Sequence, residues 1–222
     1  MEAIIARRMR LRISPEVGVS FELLNHYPTD QEGRFILPDL AYGADVWALL
    51  KIKVTKNLCE AARGTSLRLL TATIDFIDPD GTEVRTAPSV MTIELQAPDA
   101  YAELMIDETV QQRSIELRAA TLHEQAHAAA SGGDWVRIDQ IMEELEQLGE
   151  GNAWLKASIR RMRDYSRTRR RDDFSKEARY KSDRMRRRSV SRYEEMDSYS
   201  EASESAQPSY LRRKLEQGKK QQ

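Results

Sequence analysis

At Pro98 the spacing of apolar residues changes, and this change limits the possible folds more than any other feature of the chain. Upstream the period is two: Met9, Leu11 and Ile13 alternate with Arg8, Arg10 and Arg12, then Val17, Val19, Phe21 and Leu23 alternate with Gly18, Ser20 and Glu22. Successive side chains of a strand point to opposite faces, so this pattern predicts half-buried strands. Residues 27–33 read Tyr-Pro-Thr-Asp-Gln-Glu-Gly, which is turn chemistry, and a short strand is expected in the following Arg34-Phe35-Ile36-Leu37. Further strands are expected over 45–55 and 66–77, and Asp78-Pro79-Asp80-Gly81 then turns the chain into 82–85 and 90–95. That turn lacks the spaced acidic ligands of a calcium loop. Six or seven short strands joined by short turns, each with one charged face, predict an antiparallel β-sandwich over residues 1–98.

After Pro98 the residues favour helix. Asp99 is placed to cap a first turn, and from about residue 101 to 130 Ala, Leu, Glu, Gln and Arg dominate, with Leu104, Val110, Ile115, Leu122, Ala126 and Ala129 available for a buried stripe. Ser131-Gly132-Gly133-Asp134 ends this helix and caps the next, which carries Val136, Ile138, Ile141, Met142, Leu145 and Leu148. Asn152 caps a third helix with Trp154, Leu155, Ile159 and Met162 on one side. Short Gly-rich connections make this a helical hairpin region over residues 99–170. Residues 171–222 hold few aliphatics and include an acidic, Ser-rich run over 197–205, so they read as a charged tail, helical to about Arg192 and disordered after it. The expected fold class is therefore α+β: an N-terminal antiparallel β-sandwich, a C-terminal helical hairpin region, and a basic, partly disordered tail.

The net charge of -1 conceals a division. Residues 1–150 hold 14 Lys+Arg against 25 Asp+Glu, a balance of -11, whereas residues 151–222 hold 21 against 11, a balance of +10. Such asymmetry points either to an internal clasp or to a basic arm that meets an acidic partner. The arginine clusters Arg160-Arg161-Met162-Arg163, Arg169-Arg170-Arg171 and Arg186-Arg187-Arg188, with Tyr165, Phe174, Tyr180 and Tyr193 between them, have the composition of a nucleic-acid arm that neutralises phosphates and stacks bases. Asp164, Asp172, Asp173, Glu177 and Asp183 interrupt every run, which predicts only weak, non-specific binding. Arg187-Arg188-Ser189 followed by Ser191 has the form of a phosphorylation site. No run of 18 apolar residues occurs and arginines lie within the N-terminal apolar pattern, so neither a membrane span nor a signal peptide is expected. A single cysteine, Cys59, suits a reducing compartment, so the expected location is cytoplasmic.

One motif has catalytic form, His123-Glu124-Gln125-Ala126-His127. Histidines at i and i+4 on a helix share a face and bind zinc in zincins, with the intervening glutamate as general base. Glu143, Glu144 or Glu146 would have to supply the third ligand, and they lie close downstream for that role. The extended motif of metzincins fails, since Ala130 stands where Gly is required and Gly133 where the third His is required. A zinc-dependent hydrolase or peptidase through His123, Glu124 and His127 is therefore the alternative rather than the leading reading, and no cofactor is assigned.

The run Val19-Ser20-Phe21-Glu22-Leu23-Leu24-Asn25 and the stretch from Gly33 to Leu49, with Leu40-Ala41-Tyr42-Gly43 at its centre, resemble the β-domain that follows the von Willebrand factor A (VWA) domain in bacterial VWA-containing proteins. Gly133-Asp134-Trp135 and the segment from Asp173 to Tyr180, with Ser182, Met185 and Arg187, are similar to the C-terminal part of the same proteins. The likeness spans about residues 5–190. The Asp-x-Ser-x-Ser metal motif of the VWA domain is not in this sequence, so no metal-dependent adhesion site carries over. The resemblance implies an accessory region, truncated or separately encoded: a non-catalytic scaffold or protein-protein interaction module, with a VWA domain in trans as a candidate partner.

Overall fold

A computed structural model describes residues 3–62, 65–96, 100 and 104–187. The chain divides into two compact units, Met1–Gln111 and Gln112–Gln222. It is mixed α+β, with antiparallel sheets and five helices among the described residues.

The first unit runs β1 (Ile4–Pro15), β2 (Val19–Leu23), β3 (Phe35–Ile36), β4 (Leu40–Ala41), β5 (Leu50–Val54), α1 (Lys56–Ala61), β6 (Ser66–Ile77), β7 (Glu83–Arg85) and β8 (Ser89–Glu94). The long strands β1 and β6 pair down the middle of a six-stranded sheet. β3 and β4 pair with β1, while β7 and β8 follow one another along β6 on its side away from β1. β2 and β5 form a separate ribbon, in register from Val19 opposite Val54 to Leu23 opposite Leu50. Two buried clusters join the sheets. One gathers Ala6, Met9 and Leu11 of β1 with Leu23, Tyr27 and Leu37, and the other gathers Leu67, Leu69 and Leu70 of β6 with Val19 and Ala62.

Two irregularities depart from strict alternation. In β1 the register shifts between Arg7 and Arg10, where Arg8 takes φ 51° and its N–H donates to Asp39 Oδ1 at 2.9 Å. The extra residue lets Ala6 and Met9, three apart, both face the core. In β6 the register shifts between Arg68 and Leu70, and both Leu69 and Leu70 are buried. The expected strand over 45–55 is shorter than its pattern, and only Leu50–Val54 is strand. Ahead of it the buried Asn25 side chain takes the Leu49 N–H (2.7 Å) and donates to the Trp47 carbonyl (3.3 Å), to which Tyr27 Oη also donates (3.0 Å). Side-chain bonds there occupy the groups that a β ladder would use. The short helix α1 was not part of the expected pattern. The turn at Asp78-Pro79-Asp80-Gly81 is as expected, with Thr82 N–H bound to Asp78 Oδ1 at 2.8 Å and Gly81 at φ 87°.

In the second unit, α2 (Glu108–Gly132), α3 (Trp135–Leu148), α4 (Ala153–Arg167) and α5 (Arg171–Arg187) share one core. Helix α2 starts later than the composition suggests. Asp107 caps it through Val110 N–H, Leu104 and Val110 are exposed instead of joining a buried stripe, and Asp99 lies outside the described residues. Gly133, at φ 73°, ends α2 where a side chain would be strained, and its N–H reaches the Ala130 carbonyl. Asp134 and Asn152 then cap α3 and α4 through the N–H groups of Arg137 and Leu155.

Helix α5 corrects the expectation of a separate tail from residue 171. Phe174 and Ala178 are wholly buried and Met185 nearly so, in the same cluster as Leu122, Ile138, Ile141, Leu145, Leu155 and Met162. Three apolar side chains on one face suffice to dock a helix most of whose remaining residues are charged. Residues 188–222, with Ser189, Ser191, Arg192 and the Ser-rich run, lie outside the described residues.

Candidate functional site

The helix bearing His123-Glu124-x-x-His127 buries Glu116, Ala119, His123, Ala126 and Ala130, which recur every three or four residues along one face, with Leu117, Ala120 and Leu122 buried beside them. His123 lies in the middle of that face. It is fully buried, and neither ring nitrogen has a hydrogen-bond partner. Burial, and then the charge of Lys181, push its pKa down to about 3, so the imidazole is neutral. His127 lies at the margin of the face against α5, with Nδ1 2.7 Å from Ser175 Oγ and 3.0 Å from the Ser175 carbonyl oxygen. A proton on Nδ1 is donated to the carbonyl, while a proton on Nε2 leaves Nδ1 to accept from the hydroxyl, so either tautomer is satisfied.

These positions do not assemble the zinc site of the alternative reading. His123 points into the apolar core, His127 is engaged by Ser175, and Glu124 is paired with Arg186 of α5. Glu144 lies beside Arg118 and Arg137, Glu146 is held by Arg163, and Glu143 is exposed. Among the described residues no group of three His, Cys, Asp or Glu side chains is arranged to hold a metal ion. The Ser175–His127 contact has the elements of a nucleophile and base, yet the serine's own carbonyl competes for the same nitrogen, as in a helix-to-helix link. Near it Glu177 is fully buried against Lys181 Nζ at 3.4 Å, and Tyr165 has its pKa raised by burial and by the Glu177 charge.

The arginine runs pair with carboxylates of α2 and α3. Arg163 binds Glu146 through both Nε and Nη2 (2.8 and 2.7 Å), Arg169 reaches Asp139 (3.3 Å), and Arg186 reaches Glu124. The Arg163 guanidinium is accordingly held further in its charged form, its pKa raised first by the hydrogen bonds to Glu146. Arg169 also lies 4.9 Å over the Trp135 ring, and Arg170 lies 5.2 Å over Tyr165. The charge division seen at residue 150 is thus partly spent within the helical unit, as the clasp reading expects. Tyr165 and Phe174, expected between the basic runs as stacking residues, are buried in the core and offer no ring face to a base; Tyr193 lies outside the described residues. Lys156, Arg160, Arg167 and Arg179 remain exposed.

On the first unit, the face near β3 carries a network in which Arg34 bonds Asp30 (2.8 Å), Arg85 bonds Asp75 (2.5 Å) and Arg12 bonds Glu32 (3.2 Å). The Arg85 hydrogen bond leads in holding the Asp75 carboxyl below the usual carboxylate range. Burial works against ionisation of Asp30, but hydrogen bonds from Arg34 and from the Glu32 N–H outweigh it and keep the pKa lowered. Signs alternate across this network, so it closes on itself.

The edge formed by β8 is different. All six of its residues are exposed, with Val90 at 48%, Met91 at 43% and Ile93 at 37%. Among the described residues β8 pairs only with β6, so its outer row of N–H and C=O groups has no strand beside it. The preceding segment of the same edge carries Glu83, Arg85 and Pro88, residue types that discourage strand addition, whereas β8 has one charge, Glu94, at its end. The pattern of residues 90–95 places a strand, but not its position at the rim of a sheet, so sequence reasoning had no signal for this site. Leu40–Ala41 forms β4 against β1 and is followed by the exposed Tyr42.

Compared with protein-family models, with curated proteins and with solved structures, the chain has no significant match. Among the described residues no helix is long and apolar enough to cross a membrane.

Proposed function

We propose that this chain is a non-catalytic protein-interaction module that docks a partner at the β8 edge of its first unit. On this reading the two sheets are a small β-sandwich with a second layer two strands wide, and the helical unit is a scaffold held together by its apolar core, with ion pairs between its helices at the surface. The observation that carries the proposal is the unguarded apolar edge of β8. An exposed edge strand offers main-chain hydrogen bonds to an incoming strand, and side-chain pockets add selectivity. The VWA domain nominated by the sequence resemblance, supplied in trans, is the partner to try first. Purified chain titrated calorimetrically with a bacterial VWA domain should bind, and Ile93→Lys should weaken binding by roughly tenfold or more, the scale of one lost interface anchor. Binding unchanged in folded Val90→Lys and Ile93→Lys variants would refute docking at this edge.

A further inference from the structure

We infer that the β8 edge pairs with β8 of a second copy of this chain, antiparallel about a two-fold axis through Thr92; this rests on the reading of that edge as a docking site. The face presented by β8 follows from its register with β6. Ile93 lies opposite Leu67 and Met91 opposite Leu70, and both leucines are buried. Directly opposed residues share a face, so Met91 and Ile93 continue the core face of β6 to the rim of the sheet, where nothing described covers them. Thr92 lies opposite Arg68 on the other face.

The strand is complementary to itself in one register. With Thr92 on the axis, Met91 of each copy faces Ile93 of the other on the core-side face, Thr92 faces Thr92, and Glu94 faces Val90. Apolar residues meet apolar residues, and no like charges are opposed. Other alignments do worse. A slip of one residue brings Met91 against Glu94 and mixes the faces, a slip of two either sets Ile93 against Ser89 or leaves only residues 92–94 of β8 paired, and a parallel in-register pair stacks Glu94 beside Glu94. The two-fold arrangement also closes, consuming both open edges. The five residues 90–94 make a ladder of about 17 Å, which is small beside the ~800 Å² per partner of a standard interface, so the dimer is weak and depends on concentration.

Sedimentation of the full chain, from micromolar to several hundred micromolar, should show monomer passing into dimer with Kd on the order of 100 μM. Thr92→Glu and Thr92→Lys each set like charges on the axis and should remain monomeric throughout. Their equimolar mixture should dimerise again, because opposite charges then face each other. Thr92 is exposed, and the Arg68 opposite it is paired with Glu16 at 2.7 Å, so both variants should fold, with circular dichroism unchanged as the control. A chain monomeric at every concentration, a dimer indifferent to both variants, or a mixture that fails to recover the dimer would each overturn self-pairing. The two readings separate cleanly. A monomer that binds a VWA domain and loses it with Ile93→Lys defeats only the self-pairing, whereas a monomer that binds none defeats both.

Discussion

Replacing His123 with leucine removes a polar group that the core leaves unsatisfied. The neutral imidazole has one donor and one acceptor, and both nitrogens are buried without a partner. Leaving such groups unpaired costs about 1–3 kcal/mol. Leucine has similar bulk and no polar atoms, so His123→Leu should stabilise the helical unit by about that amount near neutral pH. The pH dependence follows from linkage. The His123 pKa lies near 3 in the folded chain, below its ordinary value of 6.5, so between these values the unfolded chain takes up a proton that the folded chain refuses. Stability is therefore fully present above about pH 6.5 and falls as the pH drops toward 3, at about 1.4 kcal/mol per pH unit. At about pH 4.5 the accumulated loss is on the order of 3 kcal/mol, and the leucine variant escapes it. Urea unfolding followed by helical circular dichroism, at about pH 7.5 and about pH 4.5, measures the difference, since other titrating groups act on both proteins alike. A variant less stable than the parent at neutral pH, or one whose advantage does not grow on acidification, would refute the reasoning.

Four further outcomes are expected. Phe174→Ala should lower the stability of the helical unit by about 3–5 kcal/mol, and truncation after Arg170 should abolish its cooperative transition, both read by thermal unfolding. Asp75→Asn should lower the melting temperature at neutral pH and flatten the acid limb: the Asp75 pKa is depressed, so its contribution is present above the ordinary carboxylate range and lost as pH falls through the lowered value. Excess zinc should leave the thermal transition where it is, because His123 would have to leave the core to act as a ligand; a zinc-dependent rise that His127→Ala removes would show that it does.

The amino-acid sequence by itself determined the local elements. Period-two alternation placed β1 and β2, the Leu, Thr, Ile and Phe content of 66–77 placed β6, the Asp78 to Gly81 turn joined β6 to β7, and Asp134 and Asn152 marked the starts of α3 and α4. These depend on bonds and side-chain directions within a few residues, and such interactions are written in adjacent letters. Tertiary structure decided what depends on distant neighbours. The bulge at Arg8 rests on Asp39, the end of the 45–49 pattern rests on Asn25 and Tyr27, and the edge position of β8 follows from its pairing, among the described residues, with β6 alone. Chain order also hid the docking of α5, because Phe174, Ala178 and Met185 look too few for a core until the faces of α2, α3 and α4 are there to receive them. His123 was the hardest position to read. Spacing placed it with His127 on one face of a helix, but its surroundings rather than its spacing make it a buried neutral side chain, because α5 and the alanines of α2 exclude the water that a metal site or a charged imidazole would need.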